Sequence, residues 1–303
     1  MDMSVDLAGV RLKNPVMTAS GTFGSGMEYS EFVDLNRLGA VVTKGVSLTP
    51  WPGNPTPRVA EVYGGMLNAI GLQNPGIDTF IERDLEFLKN YDVAVIVNVC
   101  GKTEEEYVAV VERLADTNAD LLEINVSCPN VKEGAIAFGQ DPKALSHITK
   151  EIRKKAKQPI IMKLSPNVTD IALMAKVCEE SGADAVSLIN TITGMKIDVD
   201  RRCFALANRT GGLSGPAIKP VAVRMVYQAA HAVSIPVIGM GGICTAYDAL
   251  EFIMAGAAAV AVGAANFTDP YTTVEVIEGI EEYMKKNNIG SVSELTGCVL
   301  DWR

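Results

Sequence analysis

Short apolar runs, each followed by a stretch of helical periodicity, recur eight times along the 303-residue chain. Alternation of this kind places parallel strands in one sheet with helices over its faces. The runs predict strands at Pro15–Ser20, Ala40–Lys44, Val93–Val99, Leu121–Ser127, Pro159–Ser165, Ala185–Thr191, Pro236–Gly241 and Ala258–Gly263. Several are unbroken Val/Ile/Ala sequences, as strands covered on both faces require. Helices are predicted at Glu28–Arg37, Asp78–Lys89, Thr103–Asp116, Pro142–Lys157, Thr169–Ser181, Ile218–Val233, Ala246–Ala255 and Pro270–Asn287. Thr103-Glu104-Glu105-Glu106 and Asp141-Pro142 carry helix-start signals. Eight such units fit an α/β fold, a (β/α)8 TIM barrel, with a doubly wound open sheet as the alternative. Weak alternation around Ala8-Gly9 predicts a small hairpin ahead of the barrel. No Ser/Pro-rich linker divides residues 1–303, so a single domain is expected. Long connections follow strands 2, 4 and 6, notably Gly45 to Asn74 and Ile192 to Pro216. Loops of that length at the C-terminal face of a barrel usually build or cover a site.

Bulk properties narrow the ligand. A net charge of −9 argues against a nucleic-acid backbone as the main partner. The apolar runs are too short or too interrupted for a membrane helix, and the N-terminus has no signal-peptide pattern. The six cysteines (Cys100, Cys128, Cys178, Cys203, Cys244 and Cys298) include no Cys-x-x-Cys pair, which removes the usual local zinc and iron–sulfur spacings. Reduced thiols in a cytoplasmic protein are expected. No Gly-x-Gly-x-x-Gly occurs, so a Rossmann-type nicotinamide site is not expected on this chain.

In a barrel, chemistry collects where the strands end. Those ends read Ser20-Gly21, Lys44-Gly45, Asn98, Asn125 with Cys128, Lys163, Asn190-Thr191, Gly241-Gly242 and Gly263-Ala264. Lysines, asparagines and a cysteine without histidine or carboxylate suit a neutral or anionic polar ligand and no divalent metal. The run Leu121–Val126 must leave the sheet by Pro129, which puts Cys128 at the mouth beside Asn125 and Asn130. A thiol among amide hydrogen-bonders can serve as a proton acceptor, although buried cysteines are more often inert. Lys163 has three readings: a partner for a flavin ring, the Schiff-base nucleophile of an aldolase-like barrel, or half of an internal salt bridge. No acid stands at a neighbouring strand end to make that bridge, and Lys44 poses the same question. Glycine clusters at Gly211-Gly212-Leu213-Ser214-Gly215, Gly239-Met240-Gly241-Gly242 and Gly263 fit a phosphorylated ligand approached by backbone N–H groups, or ordinary turns.

These residues coincide with those of a known family. Ala19-Ser20-Gly21-Thr22-Phe23-Gly24, Thr43-Lys44-Gly45-Val46, Asn68-Ala69-Ile70-Gly71-Leu72-Gln73-Asn74, Glu123-Ile124-Asn125-Val126-Ser127-Cys128-Pro129-Asn130, Lys163-Leu164-Ser165-Pro166, Ile189-Asn190-Thr191 and the glycine clusters all take part. Along nearly its whole length the chain resembles the catalytic subunit of class 1 dihydroorotate dehydrogenase. The resemblance implies an FMN-binding barrel that oxidises dihydroorotate to orotate in pyrimidine synthesis. It implies that Cys128 removes the C5 proton while the C6 hydride passes to flavin N5. It assigns Asn68, Asn125, Asn190 and Thr191, with Asn130, to the pyrimidine ring, and Ala69 and Ile70 to the substrate site. Lys44 and the Gly71-Leu72 backbone are assigned to the substrate carboxylate. Ser20, Lys44, Gly45, Asn98, Asn125, Lys163, Ile189, Gly215, Gly241, Gly242, Gly263 and Ala264 are implied to line the FMN, with Ala264 standing where the family usually has Thr. The segment Val131–Pro142 is similar to class 1B. That subclass implies an electron-transfer subunit carrying FAD and a 2Fe-2S cluster, NAD as acceptor, and a homodimer at the core of a heterotetramer. Class 1A, which uses fumarate, is the alternative. A barrel that reduces tRNA uridines is a remoter one, disfavoured by the acidic charge.

Overall fold

The computed structural model describes residues 1–127 and 138–301. The chain opens with an antiparallel hairpin, β1 (Val5–Leu7) and β2 (Val10–Leu12). It continues through β3 (Val16–Thr18), β4 (Ala40–Val42), β5 (Val59–Val62), β6 (Gly65–Asn68), β7 (Ala94–Val99), β8 (Leu121–Asn125), β9 (Ile160–Lys163) and β10 (Ala185–Leu188). Then follow β11 (Ile192–Met195), β12 (Ile197–Asp198), β13 (Cys203–Phe204), β14 (Thr210–Ser214), β15 (Val237–Met240) and β16 (Ala259–Val262). Strands β3, β4, β7, β8, β9, β10, β15 and β16 pair in that order, all parallel, and β16 closes back onto β3. The expected (β/α)8 barrel is therefore the fold, and the open sheet is excluded.

Side chains alternate between the two faces of each strand. The outward face, with Val41, Val95, Val97, Leu122, Ile124, Met162, Val186 and Val260, packs under the helices. The inward face stacks in layers. Its lower part holds Ala40, Ile96, Leu121, Ile161, Ala185, Ile238 and Ala259, and the hairpin closes the bottom with Leu7 and Leu12. Helices form where an apolar stripe and a cap coincide. Glu104–Leu114 buries Tyr107, Val110, Val111 and Leu114, and Thr103 accepts the Glu106 N–H at its start. Asp141, Asp170 and Thr245 cap the helices Pro142–Arg153, Ile171–Glu180 and Ala246–Met254 in the same way.

Two expectations change. The predicted helix Glu28–Arg37 is instead two short 3-10 turns, Tyr29–Glu31 and Leu35–Arg37. Asp34 is extended between them and accepts the Asn36 N–H, so its side chain restarts the turn rather than continuing a helix. The long connections after the second and sixth barrel strands are not open loops. They pair as a four-stranded antiparallel sheet in the order β11-β14-β6-β5, with its own small core of Leu67, Ala69 and Leu206. The connection after the fourth strand lies largely outside the described residues.

The hairpin plug makes a specific demand on stability. Leu12→Ala should cost about 2–5 kcal/mol in urea unfolding, the range for truncating a buried leucine, whereas Val10→Ala should cost less because that side chain is only partly buried.

Candidate active site

The inward stack changes character toward the C-terminal ends of the strands. Above the aliphatic layer, β7, β8, β9 and β10 contribute Asn98, Glu123, Lys163 and Ser187, and above these come Asn125, Lys44 and Gly263. The antiparallel sheet stands over this mouth. Between them lies a cavity of about 540 Å³, within the roughly 300–1,000 Å³ that takes a small organic ligand. Its lower wall includes Ser20, Lys44, Asn125, Lys163, Met240 and Ala261. Its upper wall includes Met66, Asn68, Thr193 and Gly212 from the sheet.

The amides are mutually oriented. Asn190 Nδ2 donates to Asn125 Oδ1 at 3.3 Å, and Asn190 Oδ1 accepts the Thr191 N–H at 2.8 Å. Tyr107 reaches in from its helix to donate to the Asn125 carbonyl at 2.7 Å. Asn68 Nδ2 donates across the sheet to the Gly212 carbonyl at 3.3 Å. Ser127 Oγ donates to the Lys163 carbonyl at 2.9 Å, tying the end of β8 to β9. Asn167 bridges Thr191 and Thr193: its Nδ2 donates to one carbonyl and its Oδ1 accepts the other N–H. Ser127 and Asn167 also line the cavity, although no role was assigned to either from the sequence.

Most of the expected site residues meet at this cavity. Ser20, Lys44, Asn68, Ala69, Ile70, Gly71, Leu72, Asn125, Lys163, Ile189, Asn190, Thr191, Gly215, Gly241, Gly242, Gly263 and Ala264 all line it. Asn98 and Gly45 stand behind the wall. Asn98 is fully buried and donates to Glu123, and a Cβ at Gly45 would sit 2.7 Å from Asn98 Oδ1. Cys128 and Asn130 lie outside the described residues.

Two expectations are corrected. Lys163 does have an acid: its Nζ lies 3.3 Å from Glu123 Oε2, with both residues buried. Glu123 was passed over because it sits two residues short of the strand's end. Alternation nonetheless places it on the same inward face as Leu121 and Asn125. Gly211 and Gly212 form no phosphate loop. They belong to β14, where a Cβ on Gly212 would fall 2.0 Å from Thr191 Oγ1, so their glycines permit close packing of the sheet on the strand ends. The Gly241-Gly242 turn keeps its expected character. Gly242 has φ +80°, and a Cβ there would lie 2.9 Å from the Gly215 carbonyl.

The wall behind that turn is ionic. Lys219 Nζ donates to Asp248 Oδ1 and Glu251 Oε1, each at 2.6 Å. Hydrogen bonds to Asp248 and Glu251 hold the Lys219 ammonium above the usual lysine range. Burial works against a charged Asp248, but bonds from Lys219, Thr245 and the Cys244 N–H win and hold its carboxyl below the usual carboxylate range. Burial and then the Asp248 charge push the Cys244 thiol up, so it stays protonated at neutral pH.

A sequence profile described as dihydroorotate dehydrogenase matches residues 2–284. The chain belongs to the dihydroorotate dehydrogenase family. It is 71% identical over 299 residues to the catalytic subunit of dihydroorotate dehydrogenase B (NAD(+)) from Lachnoclostridium phytofermentans, covering 99% of this chain and 100% of that one. The protein of the same name from Alkaliphilus metalliredigens is 60% identical, with 99% of each chain covered. A crystal structure of the Eimeria tenella dihydroorotate dehydrogenase in complex with ferulenol superposes with a TM-score of 0.82, covering 98% of this chain and 88% of that one. At 23% identity that likeness speaks for the barrel alone.

Asp248, with its lowered carboxyl, contributes stability that is present above about pH 3.9, the unfolded value, and lost as pH falls through the folded value. Lys219, with its raised ammonium, contributes below about pH 10.4 and loses that contribution as pH rises through its folded value. Asp248→Asn should therefore lower the urea midpoint by a constant amount between pH 5 and 9. The gap to the unsubstituted protein should narrow below pH 4, as followed by fluorescence.

Proposed function

We infer that the chain is the catalytic subunit of an NAD-linked dihydroorotate dehydrogenase, oxidising dihydroorotate to orotate in pyrimidine synthesis, with FMN as its resident cofactor. The observation that carries this reading is the meeting of Asn68, Asn125, Asn190, Thr191 and Lys44 in one chamber over Lys163, in a chain so close to its B-type relatives. The chamber fits FMN on its own terms. It has a polar floor with a buried cation and, at its side, the glycine wall of Gly215, Gly241, Gly242 and Gly263, where side chains would collide or are absent. FMN, when bound, supplies the acceptor for the two electrons that leave the substrate.

The reaction breaks C–H bonds at C5 and C6 and leaves a C5=C6 double bond. One hydrogen departs as a proton and the other with its electron pair. Asn68, Asn125, Asn190 and Thr191 offer amide and hydroxyl groups matched to the ring's N–H and C=O edges, and the Asn125–Asn190 bond holds two of them in register. Lys44 with the Gly71-Leu72 backbone, all of which line the cavity, takes the carboxylate. Leu72 holds a left-handed conformation, φ +53°, that turns this stretch. Cys128, next in the chain after the cavity-lining Ser127, takes the C5 proton. The antiparallel sheet stands over the mouth of the barrel above these groups. Lys163 serves as an electrostatic partner and not as an aldolase-type nucleophile, because an amine engaged by a buried carboxylate is a cation donor.

The B-type names argue for NAD over fumarate as the terminal acceptor. With no nicotinamide fingerprint here, electrons leave through a second subunit bearing FAD and a 2Fe-2S cluster. Two copies of this chain form the core of the heterotetramer. Scattered, unpaired-spacing cysteines suit a reduced cytoplasmic setting. Among the described residues, no helix is long and apolar enough to cross a membrane.

Cys128→Ser should slow flavin reduction by dihydroorotate at least a hundredfold, read by anaerobic stopped-flow bleaching, with FMN still bound. Near-normal bleaching would remove Cys128 from the role of base. With the free thiol near pH 8.5, the unsubstituted rate should climb toward alkaline pH. The isolated chain should turn over slowly with fumarate, and fast turnover without a partner would overturn the NAD-linked assignment.

A further inference from the structure

Beneath the chamber lies a polar layer that faces no substrate. Glu123 is only 1% exposed, and three strands converge on its carboxylate. Ser187 Oγ donates to Oε1 at 2.7 Å, Asn98 Nδ2 donates to Oε2 at 2.6 Å, and Lys163 Nζ lies 3.3 Å from the same oxygen. Lys163 lines the chamber, whereas Glu123 does not. The acid thus approaches the cofactor's space only through the lysine. Directly below are Ile96, Leu121 and Ile161, an apolar layer that offers neither charge a further polar partner.

A buried ion pair is costly and is often matched in stability by apolar residues of similar size. Met240 and Ala261 occupy the same chamber wall without charge. Lys163 by itself would be a bare cation under the ligand, and Glu123 converts it into a neutral pair with a fixed Nζ. Reduction by two electrons and one proton adds one negative charge to a flavin ring. A bare ammonium would favour that charge, and a paired one favours it less, because at short range in a buried site each charge is felt strongly.

We propose that Glu123 is a positioning residue which, through Lys163, keeps the bound flavin a strong enough reductant to serve an NAD-linked partner. This rests on the reading of the chamber as an FMN site. Removing the carboxylate exposes the lysine charge and makes the flavin easier to reduce. Removing one of the carboxylate's neutral donors does the reverse, because the acid's charge is then less dispersed.

The experiment is an anaerobic spectral redox titration of the FMN-loaded full chain against reference dyes. Glu123→Gln should raise the reduced-to-oxidised ratio at fixed poise at least tenfold, about 30 mV for a two-electron couple. Glu123→Asp should recover most of that shift, and in a Lys163→Met background Glu123→Gln should move the ratio less than threefold. Ser187→Ala should shift it in the opposite sense, and this variant carries the test if Glu123→Gln does not fold. A ratio unchanged in Glu123→Gln and Ser187→Ala, or an equal shift without Lys163, overturns the proposal. So does a lowered unfolding midpoint in the FMN-free chain with no change of potential, since that is a purely structural role. An unsubstituted chain that takes up no FMN would instead sink the functional reading on which this one stands.

Discussion

A closed sheet has to fill its own axis, and this requirement governs the molecule. Eight parallel strands present every second side chain inward, so the interior is a column of layers whose chemistry can differ from one level to the next. Here the lower levels are aliphatic and sealed by Leu7 and Leu12 of the hairpin. The next level carries Asn98, Glu123, Lys163 and Ser187. One step along the strand separates an oily core from an ionic floor. The ionic floor is tolerable because each charged atom finds a partner within the same layer.

That gradient sets the charge of the chamber apart from the charge of the chain. The net charge of −9 is a property of the whole sequence, but the chamber sees Lys44 and Lys163 directly while the nearest buried carboxylate is turned away beneath them. The second ionic cluster, Lys219 with Asp248 and Glu251, lies behind the Gly242 turn and braces it from outside. Charges here therefore work in layers: those in the wall face the chamber, and those behind hold the wall in place.

Much of this was legible in the residues. Eight apolar runs with intervening helical patterns specified the barrel, and Thr103 and Asp141 marked helix starts that cap as expected. Strand ends predicted the chamber because a barrel exposes little else on that face. Glu123 escaped because only terminal residues were read, when period-two alternation should have extended the search one layer down. Gly211 and Gly212 misled because glycine serves both anion-binding turns and close strand packing, and only the partner across the sheet tells them apart. The two insertions concealed a sheet because the β6–β14 pairing that joins them links distant segments that no local window contains.

That association has a temporal side. Asn68 and Gly212 meet across a sequence separation of 144 residues, so during synthesis the roof cannot assemble until roughly two-thirds of the polypeptide has left the ribosome. The last barrel strands, and with them Gly241 and Gly263, emerge later still. The full set of chamber walls thus comes together only on a nearly finished chain, and vectorial translation by itself defers completion of the chamber to the end of biogenesis.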